Sequence, residues 1–190
     1  MRSQDDAAAR FEALVIPLEK QVYHVCLNMM GSREDAEDCA QEALLKAFRS
    51  FSRFEGRSKV STWLYSIAVN VCLDALRKRR DAVSLDLMKE SGWEMPDEAP
   101  EAYERLEQSE RRRLLKLALG ELPSDFRAAM TLIDLQGCSY QEAAEALALP
   151  LGTVKSRVSR ARDMLVSLLS RYPELFGKNL RHNSERREQE

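Results

Sequence analysis

Between residues 81 and 110 ten carboxylates (Asp81, Asp86, Glu90, Glu94, Asp97, Glu98, Glu101, Glu104, Glu107 and Glu110) face only Lys89 and Arg105, a net charge of −8. Apolar periodicity lapses over most of this stretch, and Gly92, Pro96 and Pro100 fall within it. Such a segment cannot bury enough apolar surface to offset the entropy of ordering it. It therefore splits the chain of 190 residues into two blocks, each of which must fold on its own pattern. Residues 81–108 read as a flexible tether, and at about 3.3 Å per residue it could span roughly 90 Å.

Both blocks read as helical. Phe11, Leu14, Val15, Leu18, Val22, Val25 and Met29 recur at helical spacing and predict one amphipathic helix over residues 8–30. Gly31-Ser32 breaks it, and Ser32 can cap a second helix with Glu34 and Asp35 in its first turn. That helix runs to Arg49 with Ala36, Cys39, Ala40, Ala43, Ala47 and Phe48 inward. Residues 52–60 form a loop around Gly56. A third helix over 61–80 turns Leu64, Ile67, Ala68, Val71 and Ala75 inward and Ser66, Asn70, Leu73 and Arg77 outward.

Beyond the tether, Leu114, Leu115, Leu117 and Ala118 mark a short helix ended by Gly120. Pro123 opens another, with Phe126, Ala129, Met130 and Ile133 inside, running to Gln136 and closed by Gly137. Ser139 and Glu142 form a capping box for a helix over 140–147. The turn Ala148-Leu149-Pro150 then leads into a last helix, and residues 173–190 are a polar tail. The fold class is all-α: two small helical domains, residues 1–80 and 109–172, joined by an acidic flexible linker, the C-terminal one a helix-turn-helix. Only 7 Gly and 6 Pro interrupt a chain that is 44% hydrophobic, in keeping with helices around packed cores.

A net charge of only −2 conceals two basic runs, Arg77–Lys78–Arg79–Arg80 and the four cations between Lys155 and Arg162. Two such runs flanking an acidic tether point to two polyanion contacts. With Val154 at the centre of the inner face, Val158, Ala161 and Leu165 fall within about 40° of it at 100° per residue. Ser156, Ser159 and Arg160 land opposite, with Lys155, Arg157 and Arg162 on the flanks. Small hydroxyls and one Arg suit a groove, and flanking cations suit phosphates. Gly152 permits close approach of backbone to duplex.

Several classes are set aside. Cys26, Cys39, Cys72 and Cys138 form no C-x-x-C, three of them sit at apolar helical positions, and the chain has only 2 histidines. Packing is expected of them, with no metal, redox site or cofactor. No phosphate loop and no paired nucleophile and base are present, so an enzyme is not expected. The N-terminus lacks a signal-peptide core and no apolar run reaches about 18 residues, so the expectation is a cytoplasmic protein without membrane insertion.

The run GCSYQEAAEALALPLGTVKSRVSRAR resembles the promoter-reading C-terminal domain of extracytoplasmic-function sigma factors. DAEDCAQEALLKAFRSF (35–51) is similar to that family's polymerase-binding helix, and RFEGRSKVSTWLYSIAVNVCLDALRKRR (53–80) to its promoter-opening region. The likeness covers residues 11–169 with the motifs in the family's order. One difference falls in the turn, where many relatives have Gly and this chain has Ala148.

The resemblance implies an alternative sigma factor that binds core RNA polymerase and directs promoter-specific initiation. By it, Asp35, Asp38, Gln41 and Glu42 grip a coiled coil of the polymerase's largest subunit. Phe54, Lys59, Trp63, Asn70 and Arg77, with Arg57 in the same loop, meet the −10 element, whose extruded base the family holds before the third helix. Core packing would account for Phe54 and Trp63 equally well. Lys155, Ser156, Arg157, Ser159 and Arg160 meet the −35 element, and the tether threads toward the polymerase cleft. The implied partners are core RNA polymerase, promoter DNA and an anti-sigma factor. The alternative is a stand-alone helix-turn-helix transcriptional regulator, for which the acidic helix and tether have no evident task.

Overall fold

The computed structural model describes residues 2–85 and 103–176, and every element among these residues is helical. The N-terminal lobe comprises α1 (Arg2–Val15), α2 (Glu19–Met30), α3 (Arg33–Ser50) and α4 (Val60–Leu85). The single helix expected over 8–30 is two. Pro17 lacks an N–H to continue the α-helical ladder, and a 3-10 turn over Ile16–Leu18 separates α1 from α2. Gly31 closes α2 at φ 76°, donating its N–H to the Leu27 carbonyl. The Ser32 hydroxyl then accepts the Asp35 N–H and caps α3, as its position predicts.

Alanines make this lobe tight. Ala36, Ala40, Ala43 and Ala47 form the buried stripe of α3 and let it lie close against α2 and α4, whose Val22, Val25, Met29, Leu64 and Ala68 fill the centre. Cys26, Cys39 and Cys72 sit among them as small apolar residues. Two residues expected inside are not. Phe48 lies about 100° around α3 from the alanine stripe and is 54% exposed, its ring forming a T-shaped pair with Phe11 at 5.1 Å between centroids. Leu14 is also exposed, because the break at Pro17 takes α1 out of line with the stripe of α2.

The C-terminal lobe contains α5 (Tyr103–Glu121), α6 (Ser124–Met130), α7 (Tyr140–Leu147) and α8 (Leu151–Leu169). α4 runs on through Leu85 and α5 opens at Tyr103, so both ends of the expected tether are helical. Its middle, residues 86–102, and the expected tail from residue 177 onward lie outside the described residues. The helix expected to reach Gln136 changes pitch instead. Thr131–Leu135 is a π-helical turn in which the Gln136 N–H reaches back to the Thr131 carbonyl at 2.9 Å, and Gly137 closes it at φ 69°.

The lobes do not stand apart. Ala128, Ala129, Leu132, Ala143, Ala144, Ala146, Val154 and Val158 join the residues of α2, α3 and α4 in one continuous buried cluster, and α7 packs on α4. A smaller cluster of Leu119, Leu122, Met130 and Ala161 belongs to the C-terminal lobe alone. At the junction lies Arg127, 7% exposed. Its Nη2 donates to the carbonyls of Gly120 (2.7 Å) and Leu122 (2.9 Å), and its Nη1 donates to the carbonyl of Met29. One guanidinium thus satisfies the carbonyl ends of α5 and α2, one helix from each lobe. Burial pushes the Arg127 pKa down, and these carbonyls offset the cost of burying the charge.

Candidate promoter and polymerase interface

α3 presents its polar residues on the side opposite the alanine stripe. Asp38, Gln41 and Glu42 are exposed there, and Leu45, 55% exposed, lies among them. Glu42 is paired with Lys46 one turn on at 2.8 Å, which holds its carboxyl below the usual range. Asp35 differs from its neighbours. Both of its oxygens accept from Nη2 of Arg79 on α4, at 2.9 and 2.8 Å. Of the four acidic or amide residues expected to meet a partner, three are open to solvent and Asp35 is engaged within the lobe.

Three of the residues expected to meet the −10 element are aligned by helix geometry. Trp63, Asn70 and Arg77 are seven residues apart on α4, so they line one face at intervals of about 10.5 Å. Asn70 is exposed, and Arg77 is exposed while paired with Asp74 at 3.1 Å. At the start of this stripe Arg53, Phe54, Glu55, Arg57, Ser58 and Trp63 line a shallow concavity of about 340 Å³. The Phe54 and Trp63 rings meet at 5.0 Å between centroids, and Phe51 stacks behind Phe54 at 6.2 Å with 17° between planes. Phe51 is buried while Phe54 and Trp63 are half-buried. Each of the two rings packs on the core and also borders the concavity. Arg57 reaches out to Glu55 at the rim.

Lys59 sits beside this concavity with its Nζ 2.7 Å from Oε1 of Glu142, across the lobe junction. Glu142 is the third residue of α7, and its Oε2 accepts the Ser139 N–H at 2.8 Å while the Ser139 hydroxyl accepts the Glu142 N–H at 3.2 Å. That is the capping box the sequence announces. Lys59, and then the Ser139 N–H and hydroxyl, pull the Glu142 carboxyl down to about 2.

In the helix-turn-helix, α7 ends in Ala148 at φ 52°, ψ 44°, and α8 starts straight after Pro150. A left-handed alanine costs about 1 kcal/mol, and the connection needs that conformation whatever residue fills it. On α8, Val154, Val158 and Ala161 are buried and Lys155, Ser156, Ser159 and Arg160 exposed, as the wheel requires. Arg157 is drawn back, 3.0 Å from Asp125 on α6 with its side chain 24% exposed. Arg162 is likewise held, its Nε 3.0 Å from Asp134. The two acids lie 32 and 28 residues from these arginines, so no local spacing signals the pairs. Arg127, too, has no local signature and would pass for a surface arginine of α6.

An aromatic concavity continued by a polar helical stripe, and a helix-turn-helix in the second lobe, fit the sigma-70 type of initiation factor that the sequence resembles. Family profiles agree: sigma-70 region 2 matches residues 14–82 and sigma-70 region 4 matches residues 112–165. The chain is 36% identical over 171 residues to the ECF RNA polymerase sigma-E factor of Haemophilus influenzae, covering 86% of this chain and 89% of that one. It is 33% identical to the ECF RNA polymerase sigma factor SigE of Mycolicibacterium smegmatis over 87% of this chain and 64% of that protein. Among solved structures, sigma factor RpoE of Bartonella quintana, crystallised with the anti-sigma factor NepR, aligns at a TM-score of 0.70 and 30% identity over 85% of this chain and 97% of that one. The chain belongs to the extracytoplasmic-function family of RNA polymerase sigma factors, the alternative factors that direct transcription initiation. A stand-alone regulator is not favoured, since the matches span both lobes in sigma order.

Proposed function

We propose that the exposed face of α3 docks on core polymerase, that the Phe54–Trp63 concavity with Asn70 and Arg77 captures and opens the −10 element, and that α8 reads the −35 element. The single observation that carries this reading is the seven-residue stripe of Trp63, Asn70 and Arg77 leading out of an aromatic concavity. Drawing a base out of the stack costs a few kcal/mol, and an open aromatic surface offsets that by stacking. Asn70 has the donor and acceptor to meet a base edge, and Arg77 with the basic run after it meets backbone phosphate. On the exposed face of α3, carboxylates and an amide surround the apolar Leu45, a pattern suited to a basic partner helix with an apolar anchor.

In this reading the chain carries no reaction of its own, polymerase supplies the chemistry, and the protein works in the cytoplasm. None of the described helices is long and apolar enough to cross a membrane. An anti-sigma factor is the further partner, supported by the likeness to the RpoE chain that was crystallised with one.

The test is Trp63→Ala in run-off transcription with core polymerase on two templates, one fully duplex and one with the −10 region mismatched in advance. Activity on the duplex should fall at least about tenfold, equivalent to about 1.4 kcal/mol of stacking. Activity on the mismatched template should change much less. Equal losses on both templates would remove the opening role from the concavity.

A further inference from the structure

We propose that Asp35 and Arg79 are a positioning pair: they contact neither polymerase nor promoter, and they clamp the basic end of α4 onto α3 so that Arg77, Lys78 and Arg80 are aimed at promoter phosphate. The inference rests on the −10 role just given for α4, and it takes one residue away from each of the two interfaces that the sequence suggests. The stripe of Trp63, Asn70 and Arg77 defines one side of α4. At 100° per residue Arg79 falls about 160–180° from all three, on the opposite side. It lies within about 20° of Ala68 and Cys72, which are both fully buried. Arg79 therefore continues the inward stripe of α4, although it stands in the middle of a basic run. Lys78 and Arg80 lie within about 100° of Arg77 and share its side.

Where the core ends, an ion pair takes over. No residue of α4 from Leu73 to Arg80 is buried, so the basic end of the helix overhangs the apolar cluster. Leu73, Ala75 and Leu76 are only partly buried against it. Beyond them, Nη2 of Arg79 lies 2.9 and 2.8 Å from the two oxygens of Asp35. Asp35 is itself a fixed point. Its N–H donates to the Ser32 hydroxyl at the cap of α3, at 3.4 Å, and the first turn of a helix favours a carboxylate. The Asp35 side chain is 28% exposed, against 58% for Glu42 on the same helix. A carboxylate that already holds a guanidinium inside the lobe is not offered to a partner helix. Cations on an overhanging helix end must be ordered before they can grip phosphate, and the anchor meets that entropy cost in advance.

Asp35→Asn and Arg79→Gln, alone and together in the full-length chain, test the pair. Affinity for core polymerase, read by competition against labelled wild-type chain, should stay within about twofold for all three variants. Run-off yield from a dependent duplex promoter should fall about three- to fivefold for either single variant, the size expected of a part-exposed ion pair. The double variant should lose no more than either single one, because the two side chains act as a unit. For Asp35→Asn, the salt dependence of promoter binding by the polymerase complex should become shallower by up to about one unit as phosphate contacts slacken. A polymerase affinity that drops for Asp35→Asn and not for Arg79→Gln would return Asp35 to the docking face and overturn the pair. Tighter DNA binding with a steeper salt dependence for Asp35→Asn would mean that Asp35 only masks a phosphate-binding Arg79, which overturns it equally. Additive losses in the double variant would do the same. Arg77→Gln separates this proposal from the reading beneath it. If Arg77→Gln weakens run-off while the pair variants are silent, the pair alone fails; if Arg77→Gln is silent as well, the promoter role of α4 fails with it.

Discussion

The basic run at the end of α4 and the basic face of α8 carry four cations each, yet they are neutralised in different ways. On α4, Arg77 pairs within its own helix with Asp74, and Arg79 takes Asp35 from α3. On α8, Arg157 and Arg162 are held by Asp125 and Asp134, acids that belong to the scaffold of the same lobe. Lys78 and Arg80 in the first run, and Lys155 and Arg160 in the second, make no ion pair among the described residues. Half of each basic surface is thus cancelled locally. The first run shares an acid with α3, the helix proposed to dock on polymerase, while the second is restrained by its own lobe. The lesson is that low net charge is built residue by residue. Each basic surface keeps only two cations outside ion pairs among the described residues, which would limit counterion release and hence indiscriminate DNA binding.

The largest expected effect tests whether free and restrained arginines differ on α8. Arg160→Ala should cost about 1–3 kcal/mol in transcription from a dependent promoter, on the order of ten- to a hundredfold. Arg157→Ala should cost less, because Asp125 already holds that side chain. Losses of equal size, measured by run-off yield against template concentration, would erase the distinction. A smaller change of opposite sign sharpens it. Asp125→Asn frees Arg157, so affinity of the chain for duplex DNA should rise about two- to fivefold, matching the modest strength of a part-exposed ion pair. The salt dependence should steepen by roughly one unit in a fluorescence titration. The smallest effect concerns the turn that aims α8. Ala148→Gly should stabilise the chain by up to about 1 kcal/mol. The unfolding midpoint should then rise by about 2–4 °C, with no change in promoter choice. A lower midpoint would mean that the left-handed alanine is relieved by some other contact.

Much of this was legible because the signals are local. Ser139 and Glu142 lie three residues apart, so the capping box can be read directly, and α8 follows from one wheel of Val154, Val158 and Ala161. Ser32 and Gly31 mark the end of α2 and the start of α3 for the same reason. Where periodicity ran through a proline it misled, since the apolar rhythm of residues 8–30 continues across Pro17 although the backbone cannot. An aromatic one position past Ala47 reads as part of the same stripe, yet a single residue is worth about 100° of rotation, and Phe48 turns outward. The contacts that close the molecule were out of reach. Arg127 meets Met29 across 98 residues, and the pairs at Asp35, Asp125 and Asp134 join separate helices. Alternation and capping describe one element at a time, whereas a docked pair of lobes depends on surfaces that the pattern leaves unassigned.

The most direct test of the sigma assignment is run-off transcription from a genomic promoter library with core polymerase, with and without the purified chain, followed by sequencing of the start sites. The account predicts a discrete set of starts that appear only when both proteins are present and share a −35 and a −10 element. Tight, sequence-selective binding of the chain to DNA in the absence of polymerase, with no new start sites in its presence, would contradict it.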